Sequence, residues 1–283
     1  MKIIEYIKYL SRKLFTLYDE NEAESVSFYF VEEISGWDKN YILTHQDQEL
    51  TSELLEIFKQ GEKRLLKGEP VQYVTGISWF YGLKFFVNKS VLIPRQETEI
   101  LVDFIIKRHK ESGVINILDI GTGSGCIPIS LKKFLPLAEV FSLDVSEEAL
   151  KVCNINSANN SVQIYTEKYD ILGKEEFPFD FDFDIIISNP PYVLNSEKKD
   201  MHKNVVDYEP EQALYVDDSH PLIFYSNILD KIKAHVTKNT ELVFEINEKF
   251  AKEIIDLNLQ FGFINNTIIE DLNYKQRFVF STQ

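Results

Sequence analysis

Along the first seventy residues, apolar side chains recur at helical spacing. Ile3, Ile4, Ile7, Leu10, Leu14 and Leu17 form one such row, and Leu50, Leu54, Ile57, Phe58, Leu65 and Leu66 form another. The intervening faces are charged, so this region predicts a small helical bundle whose Phe15, Phe28, Tyr29 and Phe30 read as core. The period then shortens. Runs at 77–81 and 83–87 flank Gly82 and predict a hairpin. From Gln96 onward, helical and strand patterns alternate to the end, which predicts an α/β fold: a mostly parallel sheet with helices on both faces. The closing stretches at 240–246, 263–269 and 277–281 fit an antiparallel pair at one edge. The implied division is a helical domain over 1–75, a hairpin linker over 76–93 and an α/β domain over 94–283. Residues 195–220 are polar and poorly periodic, a pattern that reads as a lid or channel loop beside a site.

Two strand ends carry chemistry. Ile185-Ile-Ile-Ser188 reads as a strand buried on both faces, and Asn189-Pro190-Pro191-Tyr192 stops it, because neither proline can donate to a ladder. The result is a stiff bracket of one amide, two proline carbonyls and a phenol. Such a bracket suits a planar NH2 group. Asn189 and Pro190 offer acceptors for its two hydrogens, and Tyr192 offers a ring to stack on it. The plainer reading is an ordinary Asn-Pro turn.

A second strand, 115–120, runs into Gly121-Thr122-Gly123-Ser124-Gly125 ahead of a helical pattern at 126–134. Glycines here permit close approach of backbone to a ligand, and the helix start offers free N–H groups. The spacing is neither the phosphate loop nor the dinucleotide fingerprint, so the turn alone points only to nucleotide binders in general. Asp144 ends the next strand, where an acid can accept from ribose hydroxyls; it can equally cap the helix that follows. Three strand ends thus converge on one sheet edge, the edge where ligands bind in open α/β sheets.

Taken together, these segments resemble the protein-glutamine N5-methyltransferases that modify peptide chain release factors, the HemK/PrmC family. The similarity covers most of the chain. It is carried by Gly68-Glu-Pro-Val-Gln-Tyr73, Val91-Leu-Ile-Pro-Arg-Gln-Glu-Thr-Glu99, the 121–125 turn, Asn189-Pro-Pro-Tyr192, Tyr208-Glu-Pro-Glu-Gln-Ala-Leu214 and Phe244-Glu-Ile246. The segment ending at Glu99 discriminates, since adenine-N6 methyltransferases share the Asn-Pro-Pro-Tyr turn. The resemblance implies a Rossmann-like class I methyltransferase sheet that binds S-adenosyl-L-methionine and releases S-adenosyl-L-homocysteine. It implies that Gly121, Thr122, Gly123, Ser124 and Gly125 wrap the methionine end, that Asp144 takes the ribose, and that Asp170 and Ile171 lie beside the adenine. Asn189 would touch cofactor and substrate, Pro190, Pro191 and Tyr192 would complete the bracket, and Arg95 and Glu97 would line the far side. For Arg95 to Glu99 the plainer reading is a helix start, with Pro94 at its mouth and acids in the first turn. The implied substrate is the Gly-Gly-Gln loop of a class 1 release factor. The chain departs from the pattern at Gln96, usually proline, at Asn247, usually glycine, and at Tyr274-Lys-Gln-Arg277, where Gly-Arg-Asp-Arg is common.

Composition narrows the alternatives. A net charge of −15 over 283 residues opposes binding to a phosphate backbone. That weighs against an adenine-N6 methyltransferase acting on DNA or RNA, which would use the same bracket on a flipped base. A non-catalytic protein that binds the cofactor or a release factor is the other alternative. Cys126 and Cys153 read as reduced core thiols, and the five histidines have no metal-ligand spacing, so no metal is expected. With neither a signal peptide nor an apolar run of membrane length, a cytoplasmic enzyme is expected.

Overall fold

The computed structural model describes residues 1–283 and divides into two compact units, residues 1–77 with 202–208, and residues 78–201 with 209–283. The first unit contains α1 (Ile3–Leu14), α2 (Glu20–Ser35), α3 (Lys39–Thr44), α4 (Ser52–Leu65) and α5 (Val71–Thr75). Asp19 and Thr51 start α2 and α4 by accepting from the backbone N–H groups of Glu22 and Leu54. The periodic apolar row of α1 is buried against Phe30 and Phe58, whereas Phe15, expected in the core, is 46% exposed. It follows the last residue of α1 and so leaves the buried stripe.

In the second unit, β1 (Ile77–Phe80) and β2 (Leu83–Phe86) pair as the expected hairpin. Then come α6 (Gln96–His109), β3 (Asn116–Ile120), α7 (Cys126–Phe134), β4 (Glu139–Asp144), α8 (Glu147–Asn159), β5 (Tyr165–Lys168) and β6 (Ile185–Ser188). The 195–220 stretch is not one loop. It runs from β7 (Val193–Leu194) through α9 (Lys203–Tyr208) to β8 (Tyr215–Val216), with short 3-10 turns between. Residues 202–208, including α9, group with the helical unit, where the Tyr208 hydroxyl donates to the Lys67 carbonyl at 2.9 Å. The chain ends with α10 (Ile223–Ile232), β9 (Glu241–Glu245), α11 (Ala251–Gln260), β10 (Asn265–Glu270) and β11 (Gln276–Thr282).

The seven-stranded sheet has the order β10-β11-β9-β6-β3-β4-β5. Strands β3, β4, β5, β6 and β9 are parallel, while β11 runs antiparallel between β9 and β10. Alternate residues of each strand feed two cores. Ile117, Ile185 and Ile187 pack with α6, α7 and α8, whereas Leu118, Ile186 and Phe244 pack with α10 and α11. The strand order reverses direction between β3 and β6, and that crevice, at the carboxyl ends of the strands, is where this class of sheet binds ligands. No helix is long and apolar enough to cross a membrane.

Candidate active site

At that crevice lies an open cleft of about 1080 Å³. Its wall takes Gly121 to Ser124 from the turn after β3, Asp144 and Val145 from the end of β4, and Asp170 and Ile171 from the turn after β5. Asn189, Pro190 and Pro191 follow β6, and Pro94, Arg95 and Thr98 come from the start of α6.

The glycine turn is held by backbone. Gly121 and Thr122 both donate to the Leu143 carbonyl, at 2.8 and 3.0 Å, which fastens the turn to β4. Gly125, with φ +80°, caps α7; a Cβ there would lie 2.6 Å from the Cys153 sulfur and 2.8 Å from Ile129 Cδ1, so nothing larger fits without movement. Asp144 is the clamp on the other side. One carboxylate oxygen accepts from the Gly123 N–H at 2.8 Å and the other from Ser146 N–H at 2.9 Å. Burial raises its pKa, and those N–H donors oppose the rise. The cap of α8 is Ser146, not Asp144.

Behind the turn sits Asp119, which sequence reasoning did not single out. It is 1% exposed, neither carboxylate oxygen has a hydrogen-bond partner, and burial pushes its pKa up to about 7. An unpaired acid in an otherwise apolar strand, two residues before a glycine turn, is the sequence signal that was available. Asn156, fully buried in α8, was also unforeseen. It donates to the carbonyls of Ser124 and Phe86, both at 2.9 Å, and so ties the turn to the β1–β2 hairpin.

The bracket after β6 faces the cleft through Asn189, Pro190 and Pro191, and the Ser188 hydroxyl anchors its base by donating to the Ile120 carbonyl at 2.7 Å. Tyr192 does not line the cleft. Its hydroxyl donates to Glu245 at 2.9 Å, and Thr98 donates to the other oxygen of the same carboxylate at 2.8 Å. Burial and the adjacent carboxylate drive the Tyr192 pKa far up, so the phenol stays protonated. Gly125 and Glu97 also lie off the wall. Glu99 is structural, accepting from the Tyr81 N–H at 2.9 Å, and Arg95 pairs with the buried Glu209 at 2.7 Å. Glu209 also accepts from the Ile93 N–H at 3.1 Å, which pins the segment entering α6. Gln212, Ala213 and Phe224, to which sequence reasoning gave no site role, also line the cleft.

Residues 95–213 match the family model described as Methyltransferase small domain, and residues 5–76 match PrmC N-terminal domain. A release factor glutamine methyltransferase of Flavobacterium psychrophilum is 40% identical over 99% of this chain and 98% of its own length. One from Bacteroides thetaiotaomicron is 37% identical over 95% and 96%. The chain belongs to the release factor glutamine methyltransferase family. A Pyrococcus furiosus methyltransferase structure, 16% identical, covers 79% of this chain and 98% of its own with a TM-score of 0.50, a likeness of fold alone. The fold is that of a class I S-adenosylmethionine-dependent methyltransferase with an N-terminal helical domain.

The cofactor of this family, S-adenosylmethionine, suits the cleft. The backbone of Gly121 to Ser124 lines the cleft and leaves room for close approach of an amino-acid end, and behind it the buried Asp119 carboxylate is an acceptor without a hydrogen-bond partner. Asp144 fits a ribose diol, and the apolar stretch of Leu143, Val145, Ile171, Phe224 and Ile228 fits a planar base.

Proposed function

We propose that the protein methylates the side-chain amide nitrogen, N5, of the glutamine in the Gly-Gly-Gln loop of a class 1 peptide chain release factor. The observation that carries this reading is the placement of Asn189 and Pro190 on the same cleft wall as the glycine turn and Asp144. Gly121 to Ser124 and Asp144 would hold the cofactor's amino-acid and ribose portions from the cleft wall, with Asp119 buried behind the turn and Asp170 and Ile171 beside the base. When bound, S-adenosylmethionine supplies a methyl group on an electrophilic sulfonium.

The remaining work falls to the bracket. An amide nitrogen is conjugated with its carbonyl and is a poor nucleophile. The Asn189 side-chain oxygen and the Pro190 carbonyl accept its two hydrogens, which favours charge developing on nitrogen. Holding the reacting atoms close and in line is worth roughly 7–11 kcal/mol of barrier. The protonated Tyr192 braces the bracket from behind through Glu245 rather than stacking on the amide. No side chain of the bracket is a strong base, and none is needed, since the alkylated nitrogen can release its proton to water after transfer. The acidic balance of the chain and the absence of a membrane-length apolar helix support a protein substrate met in the cytoplasm.

A labelled-methyl assay tests the reading with unmodified release factor, its Gln-to-Ala loop variant and duplex DNA in parallel. Label on the factor that vanishes with the loop variant is the expected result. Label on DNA alone would replace the glutamine reading with adenine methylation.

A further inference from the structure

The turn joining β10 to β11 presents the two most exposed large apolar side chains of the molecule, Leu272 at 90% and Tyr274 at 85%. Nothing about this turn is loose. The buried Asp271 carboxylate accepts from the N–H groups of Asn273 at 2.8 Å and Lys275 at 3.1 Å, and from the Arg277 guanidinium at 3.0 and 3.1 Å. The Tyr274 N–H donates to the Asp271 carbonyl at 2.9 Å. Tyr274 itself is held at φ +61°, the left-handed region, where a bulky side chain is strained. Elsewhere the chain mostly fills such positions with glycine, at eight of its eleven residues with positive φ. A tyrosine kept at a glycine position, and aimed at solvent, has no packing reason to be there.

Its location supplies a reason. Strand β11 runs antiparallel to β9, with Phe278 opposite Glu245, so the turn lies at the carboxyl edge of the parallel strands, the edge that carries the cleft. The Ile246 N–H donates to the Arg277 carbonyl at 2.9 Å, and the Arg277 charge acts on Glu245 and Tyr192. The base of the turn is thereby hydrogen-bonded to the residue that follows Glu245, the carboxylate that accepts from Tyr192.

We propose that Leu272 and Tyr274 form a docking element for the folded protein substrate, seating on an apolar patch beside the loop that carries the reacting glutamine. This rests on the glutamine methylation proposed above. Two apolar side chains carried on a turn whose backbone is already fixed suit a protein surface, because the backbone ordering cost is met before binding. It offers no positive charge cluster for a phosphate backbone or an anionic membrane.

Affinity for unmodified release factor, measured by biolayer interferometry with Tyr274→Gly and Leu272→Ser, tests the proposal. Each substitution should weaken binding of the factor by about tenfold, as loss of a central interface side chain does. KM for the factor should rise in step, while kcat and the calorimetric affinity for S-adenosylmethionine hold. Glycine relieves the strain at 274, so a lower thermal midpoint cannot account for a loss in Tyr274→Gly. Wild-type affinity and KM in both variants would overturn the docking role and leave the methylation reading standing. An equal loss of cofactor affinity would also overturn it, by showing damage to the cleft. If the wild-type protein puts no label on the factor at all, the methylation reading fails and the docking role falls with it.

Discussion

The Tyr192 hydroxyl donates to Glu245 at 2.9 Å across 53 residues of sequence, and Glu245 accepts from Thr98 with its other oxygen. One buried carboxylate therefore joins the bracket to the start of α6, two walls of the same cleft. Glu245 is a positioning residue in this arrangement, since it acts through Tyr192 and Thr98 rather than on the substrate. Glu245→Ala strands two buried hydroxyls, at about 1–3 kcal/mol each. Glu245→Gln keeps the shape and one acceptor. Steady-state kinetics on Glu245→Gln should show kcat reduced by roughly 10-fold to 10²-fold, as for a misplacement of order 1 Å. KM for the cofactor should move little, and recovery relative to Glu245→Ala would separate positioning from simple loss of fold. Equal kcat in wild type and Glu245→Gln would remove the role.

Asn189 tests the bracket directly. Its neighbour Ser188 keeps the turn anchored to Ile120 whatever stands at 189, so Asn189→Ala should fold. With one acceptor for the amide gone, turnover should fall roughly 10²–10³-fold, the scale seen when a single donor or acceptor to developing charge is deleted. Cofactor affinity by calorimetry should stay within a few-fold. Turnover at the wild-type rate would mean that the amide is held elsewhere.

Asp119 predicts a pH dependence. Its pKa rises from 3.8 to about 7 on burial, so the native chain binds that proton more tightly than the unfolded chain does. A raised carboxyl pKa favours folding fully below pH 3.8, and its contribution is lost as the pH climbs through about 7. At roughly 1.4 kcal/mol per pH unit, the swing across that window reaches at most about 4 kcal/mol. Urea unfolding of the ligand-free protein between pH 5 and 8 should therefore show a decline that Asp119→Asn flattens. Parallel profiles for the two proteins would show that Asp119 titrates normally.

What the chain discloses by itself follows from distance along the sequence. The glycine turn, the 77–87 hairpin and the Asn189-Pro-Pro191 turn are local, and each was legible as a structural element because its residues sit within a short stretch. Tyr192 was read as a stacking ring because its partner lies far away in β9, and no periodicity reports a pairing at that separation. Arg95 met Glu209 across 114 residues for the same reason. The 195–220 stretch read as a loop because its elements span six residues or fewer, too short for a period to register. Strand order was hidden as well: β11 inserts between β9 and β10, and a sequence orders strands only by their succession.

Gly125 shows how closely the glycine turn is packed, and it predicts a coupled pair. A methyl group at this position meets Cys153 Sγ at 2.6 Å and Ile129 Cδ1 at 2.8 Å, on a backbone with φ +80°. Gly125→Ala therefore combines left-handed strain with overpacking and should cost about 2–4 kcal/mol. Cys153→Ala alone opens a small cavity at a cost near 1 kcal/mol. In the double variant the sulfur no longer opposes the new methyl, so the combined loss should be smaller than the two single losses added, by about 0.5 kcal/mol or more. The clash with Ile129 and the strained φ remain, so the double variant should still be less stable than wild type. Urea unfolding of the four proteins measures the coupling. Strict additivity would mean that α8 yields to the added methyl, and that the turn is held by its backbone bonds to Leu143 rather than by packing against Cys153.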